Sequence, residues 1–201
     1  ATRQLVAARE QCECLCAQGA DPDAWSLLAY LRASRRLDAR HTLELTPYLR
    51  DNDMTFLMHF LPWQPTEENG HSSVGLQAVV RSDLDAWQWT NGLDLDLTDG
   101  RLREIQDAPF SPNQPAGVHY DYQVDAVVAA AYSQLRLPLG ARWEISAGAR
   151  LEHTRYDYDN RTGDGSACSP EATNCRFYRP ADRDDDFTDW SLNAGASHDF
   201  S

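Results

Sequence analysis

The sequence lacks any long run of apolar residues. A membrane-spanning helix needs about 20 consecutive apolar residues, and no stretch of this 201-residue chain approaches that length, although 42% of its residues are hydrophobic. The absence excludes a helical membrane protein. It leaves a membrane β-strand open, because such a strand needs only about 9–11 residues with every second one apolar.

Positive charge is also scarce: 18 Lys and Arg residues face 31 Asp and Glu residues, which gives a net charge of −13. Phosphate binding needs clustered cations, so nucleic acid is not expected as a partner. No Gly-x-Ser-x-Gly motif occurs, and the six histidines are scattered. A hydrolase built into a barrel therefore has little support, and we predict no enzyme activity and no cofactor.

An apolar signal segment is missing from residues 1–18, and we therefore expect a longer parent protein. The five cysteines fall into two groups. Cys168 and Cys175 bracket a polar, turn-forming stretch, which predicts a local disulfide and an oxidising compartment. Cys12, Cys14 and Cys16 alternate with other residues, a spacing unlike that of a thiolate metal site, and we predict no metal there.

Apolar residues alternate with polar ones in seven segments. In the first segment, Leu27, Ala29, Leu31 and Ala33 share one face. Such a period of two predicts β-strands, here at 26–36, 42–50, 71–81, 86–98, 120–137, 142–158 and 188–200. The segment 120–137 is apolar on both faces, which predicts a β-bulge within it.

The connections between these segments are short, long, short, long, short and long. The long ones cover 51–70, 99–118 and 159–186. An outer-membrane barrel has short periplasmic turns and long extracellular loops, whereas a soluble sandwich has no reason to alternate them. Trp87, Trp89 and Trp143 lie beside short turns and Trp190 at the opposite end, as two aromatic belts require.

Charged residues fall in mid-strand on the face opposite the apolar one, among them Arg32, Asp94, Asp96 and Arg150. They need water or opposite charges, which the interior of a wide barrel provides. Seven strands are an incomplete barrel, because single-chain bacterial barrels have an even number of strands. An open sheet would also leave unpaired edges in lipid. We predict an all-β fold: residues 25–201 form a fragment of an antiparallel up-and-down transmembrane β-barrel. Residues 1–24 are left unassigned, and an extracellular loop is one interpretation of them.

Several segments together resemble TonB-dependent outer-membrane receptors. They are His41–Arg50, Met54–Pro62, Glu67–His71, His119–Asp125, Ala147–Glu152 and Tyr156–Asn160. The resemblance covers about residues 21–201 and implies a barrel of about 22 strands with a plugged lumen. It also implies energy from the inner membrane through TonB. The chain has no plug, no TonB box and no aromatic final strand, so we do not expect it to transport alone.

The resemblance implies active import of a scarce nutrient, most simply a ferric siderophore, at the outer membrane of a Gram-negative cell. Membrane lipid, lipopolysaccharide and TonB are the other expected partners. The acidic run Asp184–Asp186 has two interpretations: it holds divalent ions that bridge lipopolysaccharide, or it is a solvated loop. A soluble β-rich binding module and a passive porin remain as alternatives. The candidate ligand contacts are polar and aromatic residues near the predicted extracellular rim: His59, Trp63, His119, Tyr120, Tyr122, Tyr156 and Tyr158.

Overall fold

The structure, a computed structural model, describes residues 2–11 and 23–200. Its strands are β1 (Thr2–Gln11), β2 (Asp23–Arg36), β3 (His41–Leu57), β4 (Thr66–Leu84), β5 (Trp87–Gln106), β6 (Gly117–Leu139), β7 (Trp143–Asn160), β8 (Gly165–Ser166), β9 (Tyr178–Arg179) and β10 (Arg183–His198). Cys12, Cys14 and Cys16 lie outside the described residues.

One antiparallel sheet contains most of the described residues. Its order is β1-β2-β3-β4-β5-β6-β7-β10, and β8 and β9 form a separate two-stranded ribbon. Each strand of the sheet pairs with the next one along the chain, apart from the ribbon between β7 and β10. The all-β, up-and-down architecture is therefore confirmed, and β1 adds a strand within the segment that the sequence left unassigned. Within the described ranges, no helix is long and apolar enough to cross a membrane.

The sheet has one apolar face and one polar face. Directly paired residues share a face, and the register aligns Ala78, Leu93, Ala131, Leu151 and Trp190 across five strands. These side chains have no cover: Leu93 is 62% exposed and Trp190 72% exposed. In the described part of the chain, the only apolar side chains that are almost completely buried are those of Pro65, Ala130 and Phe177. The residues whose burial is described therefore form no hydrophobic core of their own, and their apolar face needs an apolar environment.

The strands are longer than the alternation predicted. β3 continues to Leu57, β4 begins at Thr66 and β5 continues to Gln106, so the first two long connections shrink to 58–65 and 107–116. At about 3.3 Å per residue, the 23 residues of β6 extend roughly 75 Å, well beyond the ~30 Å of a bilayer core. The added residues include charged and polar side chains on both faces, with a few apolar ones such as Met54 and Ile105, because paired backbone outside hydrocarbon needs no apolar side.

The bulge predicted within 120–137 is wrong. The register of β6 against β5 is continuous from Tyr120 to Arg136, and the one shift in this pair leaves His119 without a partner between Val118 and Tyr120. The segment is apolar on both sides for another reason. Val124, Ala126 and Val128 belong to the polar face, where they pair with Gly100, Thr98 and Asp96 and form an uncharged stretch.

The short connections are tight turns with specific polar contacts. In the first, the Asp38 carboxylate accepts hydrogen bonds from the backbone N–H groups of Arg40 and His41 at 2.8 and 2.9 Å. The backbone N–H of Arg40, with the His41 side chain, holds the pKa of the Asp38 carboxyl below its ordinary value. Arg40 also pairs with Asp85 of the next turn at 2.9 Å, which joins the two hairpins.

Two tyrosines on the polar face lie over glycines of a neighbouring strand. Tyr48 pairs with Gly75 and Tyr132 with Gly92, and a Cβ on either glycine would overlap the tyrosine ring. Each ring can therefore lie flat on the sheet. Tyr48 reaches Asp96 and donates a hydrogen bond to it.

The Gly75 contact gives a first prediction. In the whole protein, Gly75→Val should destabilise the barrel by about 1–3 kcal/mol, because the added side chain displaces the Tyr48 ring from its place on the sheet. The measurement is the urea concentration at which heat-modifiable gel migration is lost. Gly163→Val is the matched control, because no atom lies within 4 Å of a Cβ at Gly163; equal losses in both variants would contradict the packing argument.

The two faces give a second prediction. Leu95→Arg on the apolar face should cost about 2–4 kcal/mol if that face meets hydrocarbon, since the bilayer core disfavours a cation. Gln134→Arg, on the polar face of β6 opposite Thr90, should cost much less. Folding into vesicles of defined lipid, followed by equilibrium unfolding, measures both. Similar costs for the two variants would show that the faces are assigned incorrectly.

Candidate functional site

The three long connections meet at one end of the sheet and contact one another. They comprise residues 58–65, 107–116 and 161–182. Trp63 of the first lies 6.3 Å from Phe110 of the second, measured between ring centroids, and the Arg176 guanidinium of the third lies 5.1 Å from the Trp63 ring centroid. The backbone N–H of Asn174 donates to the Asn113 side chain at 3.2 Å. These loops therefore form one assembly, which we call the loop cap.

The loop cap is anchored on His119, the residue at the register shift. His119 is fully buried: Nδ1 lies 2.8 Å from the Glu104 carboxylate and Nε2 lies 2.8 Å from the Pro115 carbonyl. Phe177 of the third loop stacks on the imidazole with ring centroids 3.7 Å apart. Arg179 donates to the carbonyl oxygens of His119, at 2.9 Å, and of Val118. The register shift at His119 is a β-bulge, and it directs the His119 side chain toward the third loop, which covers it.

The third loop is also closed on itself. A disulfide joins Cys168 and Cys175, with the sulfurs 2.05 Å apart. The β8–β9 ribbon pairs Gly165 with Arg179 and Ser166 with Tyr178. These cross-links limit the conformations of the loop and bring Phe177 and Arg179 to the His119 anchor.

The structure divides the seven predicted ligand residues into separate groups. His119 and Tyr120 belong to the anchor, where Tyr120 lies 5.8 Å from Phe177. Trp63 belongs to the loop cap, and His59 is exposed beside Phe60. The other three residues, Tyr122, Tyr156 and Tyr158, lie on the polar face of β6 and β7.

Those three tyrosines form an aromatic surface with a residue that the sequence did not indicate. The Tyr122 and Tyr158 ring centroids lie 5.1 Å apart, and Tyr156 lies 6.2 Å from Phe187 of β10. We call Tyr122, Tyr156, Tyr158 and Phe187 the tyrosine wall. Phe187 lay between the predicted loop 159–186 and the predicted strand 188–200, because the sequence shows no alternation before residue 188. β10 in fact begins at Arg183.

The polar face below the tyrosine wall is a network of ion pairs. Arg50 donates to Asp96 at 2.9 Å and Arg150 to Asp94 at 2.6 Å, and Arg150 also reaches Glu152 at 2.7 Å. Such charges would be costly against lipid but are acceptable in a wet interior, where each has a partner. Over the described residues, no three His, Cys, Asp or Glu side chains are grouped so as to hold a metal ion.

Comparisons with known proteins identify the architecture. The sequence model of a family described as "TonB dependent receptor-like, beta-barrel" matches residues 18–201. A search of curated proteins finds no significant match.

Solved structures with the same fold include the unliganded ferric citrate transporter FecA (TM-score 0.64, 11% identity), the open form of the ferric-catecholate import receptor Fiu from E. coli K12 (0.62, 12%) and the copper transporter OprC (0.63, 13%). The matches cover 90%, 90% and 92% of this chain but 26%, 34% and 29% of those chains, so this chain spans about a quarter to a third of their length.

The His119 anchor gives a third prediction. Phe177→Ala should release the third loop, because it removes the ring that covers the imidazole and leaves His119 and Glu104 open to water. Proteolysis and amide hydrogen exchange in residues 161–182 should both increase by about tenfold or more, in line with the 1.4 kcal/mol or more expected for a lost buried ring contact. Tyr178→Ala, one residue away and 69% exposed in the wild-type protein, should change neither; an equal effect would contradict the anchor.

Proposed function

The chain belongs to the TonB-dependent receptor β-barrel family, and from that premise we propose that it forms part of the wall of an outer-membrane importer for a ferric siderophore. Members of this family are outer-membrane barrels of Gram-negative bacteria. The parent protein would bind its ligand at the extracellular side and draw energy for import from TonB, through regions beyond this chain.

One observation carries the proposal: the sheet has an apolar face that no other described part of the chain covers, and a charged face with paired ions. A soluble binding module would bury one face of its sheets, whereas a wide barrel places lipid on one side and water or a polar plug on the other. Lipid and lipopolysaccharide are the partners that suit the apolar face. The three loops that meet at one end suit the extracellular side, where such loops are long.

Within this chain, we assign ligand contact to Tyr122, Tyr156 and Tyr158. Their rings lie on the proposed lumen face, beneath the loop cap, where an incoming ligand would pass. We assign His119, Tyr120 and Trp63 to holding the cap in place, because the rings of His119 and Tyr120 pack against Phe177 and Trp63 lies between two loops. His59, exposed in the first loop, is assigned to first contact with the ligand.

Iron is proposed over copper as the transported metal, although OprC is named a copper transporter. Two of the three related structures described above are named for ferric chelates. The described part of the chain also holds no cluster of metal-ligating side chains that would receive a bare ion. A metal inside an organic chelate needs no such cluster.

The test is uptake of radiolabelled iron by cells that carry the whole receptor or lack its gene. We expect uptake of a ferric siderophore that requires the receptor, stops when TonB is removed and is induced by iron starvation. Uptake that continues without TonB would indicate a passive porin. Induction by copper starvation, or by a sugar or cobalamin supply, together with no uptake of iron, would contradict the siderophore assignment.

A further inference from the structure

On its β6 side, the tyrosine wall borders small uncharged residues of the polar face. On its β10 side, Tyr158 pairs with Arg183 and Tyr156 with Asp185, and these two charges form an ion pair at 2.9 Å. Val124 pairs with Gly100 and Tyr158, and Ala126 pairs with Thr98 and Tyr156. Small side chains beneath large rings leave the rings free on one side; Tyr156 is 40% exposed and Phe187 is 52% exposed. The wall therefore presents aromatic area, with no charge in its own members.

The tyrosines of the wall differ from the other tyrosines on the same face. Tyr48 lies on Gly75 and donates its hydroxyl to Asp96, and Tyr132 lies on Gly92 next to Arg150. Both serve the sheet itself. In the described part of the chain, by contrast, the hydroxyls of Tyr122 and Tyr158 hydrogen-bond to no side chain, and their rings contact each other. These groups remain available to a ligand.

The arginines near the long-loop end are already engaged. Within the described residues, five of them pair with carboxylates: Arg101, Arg103, Arg155, Arg161 and Arg183. Arg176 covers the ring of Trp63, and Arg179 donates to two backbone carbonyls. The sequence contains no lysine. The described residues at this end thus offer no unengaged arginine to an anionic ligand, and the net charge of −13 of the whole chain repels one.

From these observations we propose that the ligand is a metal chelate without net negative charge, which contacts the tyrosine wall through an apolar or flat surface. A ferric trihydroxamate, in which three singly charged groups neutralise the ion, has this chemistry. Ferric citrate and ferric tris-catecholate carry net negative charge and would need free cations here. Aromatic faces favour apolar and cationic groups. This inference rests on the proposed function and specifies its substrate class.

The experiment measures binding of three probes to the purified whole receptor by isothermal titration calorimetry: a neutral ferric trihydroxamate, ferric tris-catecholate and ferric citrate. We expect the neutral chelate to bind at least tenfold more tightly than either anion. Tyr158→Ala should weaken its binding by about tenfold, the change expected when one aromatic contact is lost. Tyr158→Phe should retain binding, because it keeps the ring.

Tyr178→Ala is the matched control, since this tyrosine is exposed on the β8–β9 ribbon and lies outside the wall; it should leave affinity unchanged. Heat-modifiable migration verifies that each variant is folded. Tighter binding of an anionic chelate, or equal affinities for wild type and Tyr158→Ala, would overturn the substrate class while siderophore import stands. Binding of none of the three ferric chelates would overturn the proposed function and this inference together.

Discussion

The alternation of side chains across a paired strand is the constraint on which the rest of this structure depends. Because the pairs from β2 to β7 and β10 keep their register over the membrane-length part of each strand, the side chains of the apolar face are aligned with apolar neighbours. A shift of one residue would move Leu95 to the side of Asp94 and Asp96. The charged network and the apolar face thus favour the same register, because the charges are costly in hydrocarbon and the apolar side chains are unfavourable in a wet interior.

This constraint explains which features the sequence could predict. Alternation depends on neighbouring residues, so the seven strands and the order of short and long connections were readable. The strand ends could not be predicted in this way. Residues 51–57 and 66–70 pair with each other outside the apolar band, where apolar and polar residues do not alternate. The bulge predicted in β6 has a related cause: Val124, Ala126 and Val128 are apolar residues on the polar face, and in the sequence they resemble a change of phase.

The functional surfaces were harder to predict than the strands because they join distant parts of the chain. Phe177 covers His119 across 58 residues of sequence, and Arg179 hydrogen-bonds to the same segment. No local pattern marks either contact. Tyr122 and Tyr158 were predicted as ligand contacts because aromatic residues near long loops suit that role, but only the strand register shows that they are separate from the His119 anchor.

The polar face has two regions in which tyrosine has different roles. Nearer the short turns, tyrosine serves as a structural element: Gly75 and Gly92 provide room for a flat ring, and a carboxylate or guanidinium lies at its edge. Nearer the loops, Tyr122 and Tyr158 stand on a strand of small apolar residues and no side chain engages their hydroxyls in the described structure. At this level Arg101, Arg103 and Arg155 lie on the opposite face of the sheet, where they pair with carboxylates. Under the substrate class proposed above, a face that pairs its charges with one another and leaves the rings of the tyrosine wall uncovered would select a ligand by shape and by the absence of negative charge.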